Sequence, residues 1–326
     1  MKCLCCGKPF TKALTPQEES SGWHDRCVKA FFGTKHLPEI DVSEETLQLL
    51  AQESTQQGYT VPGVQKKLSL HLTGEGSDPC PRLTLVNYPT GYILKPQTAE
   101  YPHLPEAEYL AMQMAKLSGI RTVPFALVRM NGQYAYLTRR IDRQFAGKGS
   151  APKMLAMEDF CQLDGRLTQD KYLGSYERCG KIISKYSSRV GLDLSELFLR
   201  VVFSLAVGNS DMHLKNFSLI REHDGEWHLS KAYDLVPVKT VMPDDPDDLA
   251  LTVNGRNRNL AANDFAKACE SMRLTPVQFK RTVKRVTTNV AAYLEEAFDR
   301  SFLSDDFKSR CRALVRERLA VFGSYK

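Results

Sequence analysis

A chain of 326 residues, 42% apolar and 25% charged, can build two core-bearing lobes and has the composition of a globular protein. Its net charge of +6 comes without a dominant basic stripe, and acidic runs such as Asp244-Asp245-Pro246-Asp247-Asp248 offset the basic ones, so no direct nucleic-acid binding is expected. No apolar run approaches the roughly 18 residues of a membrane span, and Met1-Lys2-Cys3-Leu4-Cys5-Cys6 lacks the apolar core of a secretory signal; the expected setting is the cytoplasm, without a membrane partner.

Residues 1–35 form a Cys-rich leader. Cys3-x2-Cys6 is followed, after seventeen residues, by His24-x2-Cys27, and two pairs of this spacing can place four soft ligands around a tetrahedral zinc. Gly7 suits the tight turn of a zinc knuckle. The alternative is a Cys-rich stretch that binds nothing. Cys5 is the surplus thiol, and the nine cysteines, an odd number, speak against a disulfide framework.

Residues 36–143 read as a β-rich lobe. A short helix is expected over 43–52, capped by Asp41 or Ser43. A loop with Gly58, Gly63, Val64, Gln65, Lys66 and Lys67 then enters a strand in which Leu68, Leu70 and Leu72 alternate with polar residues. Such a loop could close backbone N–H groups and positive charge over phosphates, although it also reads as an ordinary strand-entry turn. Arg82–Tyr88 and Tyr92–Lys95 flank Pro89-Thr90-Gly91 and are expected to pair as strands. A helix over 104–117 stops at Gly119. On it Glu108 shares a face with Ala111, Met112 and Ala115, which is costly for a carboxylate without a partner, and Lys95 is the natural one. A strand lysine held by a helix glutamate is what an ATP-binding lobe uses on the α- and β-phosphates. A hairpin around Asn131-Gly132 completes a five-stranded layer.

Residues 144–326 are expected to be mainly helical from about Met157 onward. Leu192–Val207 reads as a buried helix stopped by Gly208, which delivers Asp211 onto a loop. Asp211-x4-Asn216 is the spacing of a kinase catalytic loop, in which the Asp takes the acceptor proton and the Asn holds magnesium. A hairpin around His223-Asp224-Gly225 leads to Asp234, eighteen residues after Asn216, as in the kinase order. A further helix starts at Thr275-Pro276. Each signal has a bland alternative, from a surface lysine to a turn aspartate. Their joint order gives an α+β, two-lobed protein-kinase-like fold with a β-rich N-lobe and a mainly helical C-lobe.

The segments Pro62-Gly63-Val64-Gln65-Lys66-Lys67, Ile93-Leu94-Lys95-Pro96, Arg140-Ile141-Asp142-Arg143, Glu158-Asp159-Phe160-Cys161-Gln162 and Asn209-Ser210-Asp211-Met212-His213-Leu214-Lys215-Asn216-Phe217-Ser218 resemble the HipA-like serine/threonine kinases, toxins of bacterial toxin–antitoxin operons. The shorter N-terminal region is similar to that of the compact HipT kinases. The resemblance implies ATP and Mg2+ as cofactors, with Gly63 to Lys66, Lys95 and Glu108 at the phosphates, and Thr138, Arg139, Arg140 and Ile141 at the adenine hinge. It implies Asp211 as catalytic base, Asn216 and Asp234 as magnesium ligands, and His213 and Lys215 ordering the loop or steadying the γ-phosphate. Autophosphorylation in the family falls on a serine before the Gly-x-Gln-x-Lys stretch. Here Thr60 is the nearest hydroxyl. The implied partners are a protein substrate such as an aminoacyl-tRNA synthetase and an antitoxin that includes a helix-turn-helix repressor. A kinase-fold scaffold and a small-molecule kinase are the other readings.

Overall fold

The computed structural model describes residues 1–41, 67–73, 81–84, 90–144, 153–222 and 224–323. The expected helix over 43–52, the phosphate loop through Gly63, Val64, Gln65 and Lys66, and Thr60 lie outside the described residues. The chain divides into two compact units, Met1–Tyr109 with Val123–Met154, and Leu110–Thr122 with Leu155–Lys326.

In the first unit, α1 (Pro16–Ser21) starts at a capping box between Thr15 and Glu18, and α2 (Asp25–Phe32) follows His24. The sheet contains β1 (Glu39–Asp41), β2 (Leu68–Thr73), β3 (Arg82–Thr84), β4 (Tyr92–Lys95), β5 (Phe125–Met130) and β6 (Gln133–Arg139), in the order β1-β3-β2-β4-β6-β5. Two expectations need correction. β3 and β4 are not partners, because β2 lies between them and pairs antiparallel with both. The sheet has a sixth strand, β1, parallel to β3. The β5–β6 hairpin turns through Asn131 and Gly132, both at positive φ, the conformation that the right-handed twist of a two-residue hairpin demands. A small ribbon of β7 (Arg143–Gln144) and β8 (Lys153–Met154) ends the unit. The leader is built into its core: Trp23 is fully buried, its Nε1 donates to the Leu127 carbonyl at 3.1 Å, and the Leu127 N–H donates to the Leu4 carbonyl at 2.9 Å. Phe31 and Phe32 pack on Trp23 and Tyr92.

Helix α3 (Leu104–Leu117) begins in the first unit and ends in the second. Beyond it the second unit opens with β9 (Met157–Asp159), a strand where helix was expected. β9 pairs antiparallel with β10 (Ser218–Arg221), which pairs with β11 (Trp227–Leu229). Asp159 ends the strand and caps α4 (Phe160–Leu163) through a capping box with Gln162. Helices α5 (Tyr176–Tyr186) and α6 (Val190–Val207) follow, then α7 (Val238–Val241), α8 (Ala262–Ser271), α9 (Pro276–Arg300) and α10 (Asp305–Ala320). α6 is apolar on nearly all sides and is surrounded by α5, α9, α10 and β11. It ends at Gly208, at φ 68°, where a Cβ would meet Leu314 Cδ2 at 2.6 Å. Only glycine fits that turn, which turns the chain into the Asp211 loop. No helix among the described residues is long and apolar enough to cross a membrane.

Candidate active site

In the first unit, Lys95 closes β4 and Glu108 lies in the second turn of α3. Lys95 Nζ stands 2.6 Å from Glu108 Oε1, with the two residues 3% and 0% exposed. The ammonium also lies 5.3 Å from the centroid of the Tyr136 ring, on the adjacent strand. A buried pair this close holds the lysine at one place. Thr138 and Arg139, from the expected hinge, belong to β6, where Thr138 Oγ1 and the Arg139 N–H both donate to the Pro124 carbonyl. Arg140 forks onto Asp142 at 2.9 and 2.7 Å, and Arg143 donates to the same carboxylate at 2.5 Å. Burial pushes the Asp142 carboxyl up, but Arg140 and then Arg143 outweigh it and hold the group below the usual range. Ile141, half-buried, lies between Arg140 and Asp142.

In the second unit, the loop after Gly208 is fixed by its own polar groups. The Asp211 N–H donates to Asn209 Oδ1 at 3.2 Å, and the Asp211 carbonyl accepts the His213 N–H and Asn216 Nδ2, both at 2.8 Å. Asn209 and Asn216 are buried while the Asp211 side chain is 36% exposed, so the carboxylate is presented and its supports are hidden. The bond from its amide nitrogen to Asp211 sets which end of the Asn216 amide is the oxygen, and oxygen is the ligand type a magnesium ion takes. Lys215 Nζ pairs with Asp159 Oδ2 at 2.7 Å, which ties the loop to the start of α4. His213 Nε2 is 3.9 Å from Asp211 Oδ1, beyond hydrogen-bond distance. Asp234 holds a left-handed backbone at φ 55°, uncommon for a residue with a Cβ. The residue before it, Tyr233, is held by Ser218 Oγ at 2.5 Å and by the Lys215 carbonyl at 3.1 Å, which brings its segment beside the residues flanking Asn216. Burial pushes the Tyr233 hydroxyl up, so it stays protonated and keeps these bonds.

One contact had no signal in the sequence. The Tyr172 hydroxyl donates to Asp211 Oδ1 at 2.5 Å, and its ring meets His213 edge-on at 5.0 Å. Burial, and then the Asp211 charge, raise the Tyr172 hydroxyl above the ordinary tyrosine range. The residue sits in a polar stretch without periodicity, and its partner is 39 positions away.

The leader gathers a second cluster. Ligand atoms of Cys3, Cys6, His24 and Cys27 all lie within 4.8 Å of one another. Cys6 Sγ and Cys27 Sγ are 3.4 and 3.9 Å from His24 Nδ1. Four N/S ligands on a tetrahedral ion, with legs of about 2.0–2.3 Å, have ends of about this separation. Gly7, at φ 69°, makes the turn that returns the chain after Cys6, and its N–H donates to the Cys3 carbonyl. The cluster therefore fits a closed metal site.

The family model for the HipA-like C-terminal domain matches residues 59–294. A Haemophilus influenzae protein named "Putative kinase" is 31% identical over 243 residues, covering 70% of this chain and 66% of its own. "Putative kinase Y4mE" of Sinorhizobium fredii is 29% identical over 221 residues, covering 64% of this chain and 52% of its own. The chain thus spans about half to two thirds of the length of the curated relatives it matches. Among solved structures, HipA of Shewanella oneidensis MR-1, determined with HipB and its operator DNA, aligns with a TM-score of 0.68 at 22% identity, over 82% of this chain and 65% of that one. The Helicobacter pylori kinase CtkA aligns with a TM-score of 0.53 at 14% identity, over 78% and 93%. These two likenesses establish the fold.

Proposed function

The chain belongs to the family of HipA-like C-terminal domains, and on that premise we propose that it is a serine/threonine protein kinase using ATP and Mg2+. The observation that supports this most is the Asp211–Asn216 loop: an exposed carboxylate on a backbone held by two buried asparagines, with the Asn216 amide turned by its bond to the Asp211 carbonyl. In this reading Asp211 accepts the proton of the acceptor hydroxyl as that oxygen attacks the γ-phosphate. Lys95, steadied by Glu108, binds the α- and β-phosphates. Asn216 and Asp234 would hold magnesium, which supplies charge neutralisation at the phosphates. Lys215 acts through Asp159 and keeps the loop in register. Cys3, Cys6, His24 and Cys27 would hold a structural zinc that cross-links the leader.

The biological role follows the relatives. The Shewanella HipA structure includes HipB and operator DNA, and we take a helix-turn-helix antitoxin as the partner of this chain and a translation component such as an aminoacyl-tRNA synthetase as its target. Expression of wild type against Asp211→Asn in a bacterial host tests this role. Growth arrest by wild type alone, relieved by a neighbouring antitoxin gene, is the expected result. Equal toxicity or equal harmlessness of the two would remove the proposed mechanism.

A further inference from the structure

We infer that Tyr172 is a positioning residue for Asp211: its hydroxyl holds Oδ1 and so helps to set the orientation of the carboxylate. The inference rests on the reading of Asp211 as the proton acceptor. A carboxylate turns easily about its terminal torsion, and its two oxygens are equivalent until one is occupied. The backbone of Asp211 is already fixed at its N–H and its carbonyl. The Tyr172 bond to Oδ1, at 2.5 Å, acts on the carboxylate itself, which those two backbone bonds do not touch.

Tyr172 is in turn tied to the loop it orders. The Lys171 carbonyl accepts the Leu214 N–H at 3.1 Å, and the Tyr172 ring stands edge-on to His213 with an interplanar angle of 79°. Segment 171–172 is thus anchored on both sides of residue 213. It is not there to fill a core: Tyr172 is 36% exposed, and Leu173 next to it in sequence is 58% exposed. A shared anchoring to Asp211, His213 and Leu214, with about a third of the side chain left to solvent, is the pattern of a strut for that loop. Oriented groups of this kind act mainly on the chemical step, because misplacement of a base by a fraction of a bond length costs rate rather than binding.

The test compares three full-length proteins: wild type, Tyr172→Phe, and a protein carrying 3-fluorotyrosine at position 172, which keeps the ring and the hydrogen-bond donor. Transfer from labelled ATP is followed into the chain itself and into dephosphorylated casein, with kcat, both KM values and thermal midpoints recorded. Tyr172→Phe should lower kcat about tenfold or more, the scale of one hydrogen bond to a charged group, with both KM values within about twofold of wild type and the midpoint unmoved. The 3-fluorotyrosine protein should recover wild-type kcat. An unchanged kcat, or a lower KM for casein at full kcat, would overturn the inference, the latter by making the hydroxyl a mere competitor of the acceptor. A midpoint that falls together with kcat, without recovery by 3-fluorotyrosine, would reduce Tyr172 to packing. A wild-type chain that labels neither itself nor casein would instead overturn the kinase reading, and this inference with it.

Discussion

Replacing Lys95 by Met removes the counter-charge that stands 2.6 Å from a carboxylate with no solvent exposure. At that distance and an effective dielectric near 20, the attraction is about 6 kcal/mol. Desolvation of the two ions, several kcal/mol each, offsets most of it, so the pair contributes little net stability while its breakage leaves a buried charge without this counter-ion. Lys95→Met should therefore destabilise the first unit by about 3–5 kcal/mol. The double variant Lys95→Met with Glu108→Leu removes both charges and should regain most of that loss, giving a coupling energy above about 2 kcal/mol. The assay is equilibrium urea denaturation followed by tryptophan fluorescence. The chain has two tryptophans, and a Trp227→Phe background leaves the fully buried Trp23 to report on the first unit alone. Phosphoryl transfer should be lost in both variants, which separates the functional need for Lys95 from its role in stability. A cost below about 1 kcal/mol for Lys95→Met, or additive losses in the double variant, would refute the argument that this is a buried, mutually dependent pair.

Three other outcomes are expected. Cys6→Ser should release zinc in a metal assay and lower the thermal midpoint of the purified chain, because the leader packs Trp23 and Leu4 against Leu127; full retention of metal would exclude Cys6 as a ligand. Gly208→Ala combines a left-handed φ of 68° with a Cβ 2.6 Å from Leu314 Cδ2, and should cost more than about 1 kcal/mol and lower transfer by moving the Asp211 loop; a neutral result in both assays would contradict the close approach. Burial pushes the Asp164 carboxyl up, but Arg178 and then Arg166 outweigh it and hold the group below the ordinary range. A depressed native pKa adds stability that is present above the ordinary value of about 3.9 and is lost as pH falls through the native one. Asp164→Asn should therefore destabilise the chain at pH 7, and the difference from wild type should shrink in urea titrations below about pH 4; a constant difference across that range would show that the charge is not the cause.

What the sequence made legible was local or periodic. Glu108 on an apolar helical face called for a cation, and Lys95 was the residue available on a nearby strand. Asn131-Gly132 and Gly208 declared their turns because each position needs a backbone that few other residues adopt. The Cys3, Cys6, His24, Cys27 spacing singled out four side chains of metal-binding type that the fold does bring together. What stayed hidden depends on long-range pairing. β1 and β9 are three-residue strands whose existence is decided by partners far along the chain, β3 and β10, and no alternation can develop over three positions. The insertion of β2 between β3 and β4 is likewise a matter of register, which neighbouring turn residues cannot reveal. Tyr172 was missed for the same reason: nothing near it in sequence marks a hydroxyl destined for Asp211. The docking of the leader through Trp23 and Leu127 is also invisible in a segment whose cysteines suggest an independent module.

The role proposed for Asp211 is proton acceptance in phosphoryl transfer. Its most direct test is incubation of purified wild-type and Asp211→Asn chains with γ-labelled ATP, Mg2+ and dephosphorylated casein, with label followed on protein. Label on protein with wild type, and its loss in the isosteric variant at an unchanged thermal midpoint, is the predicted result. Equal labelling by both proteins, or label that appears only on a small molecule, would contradict it.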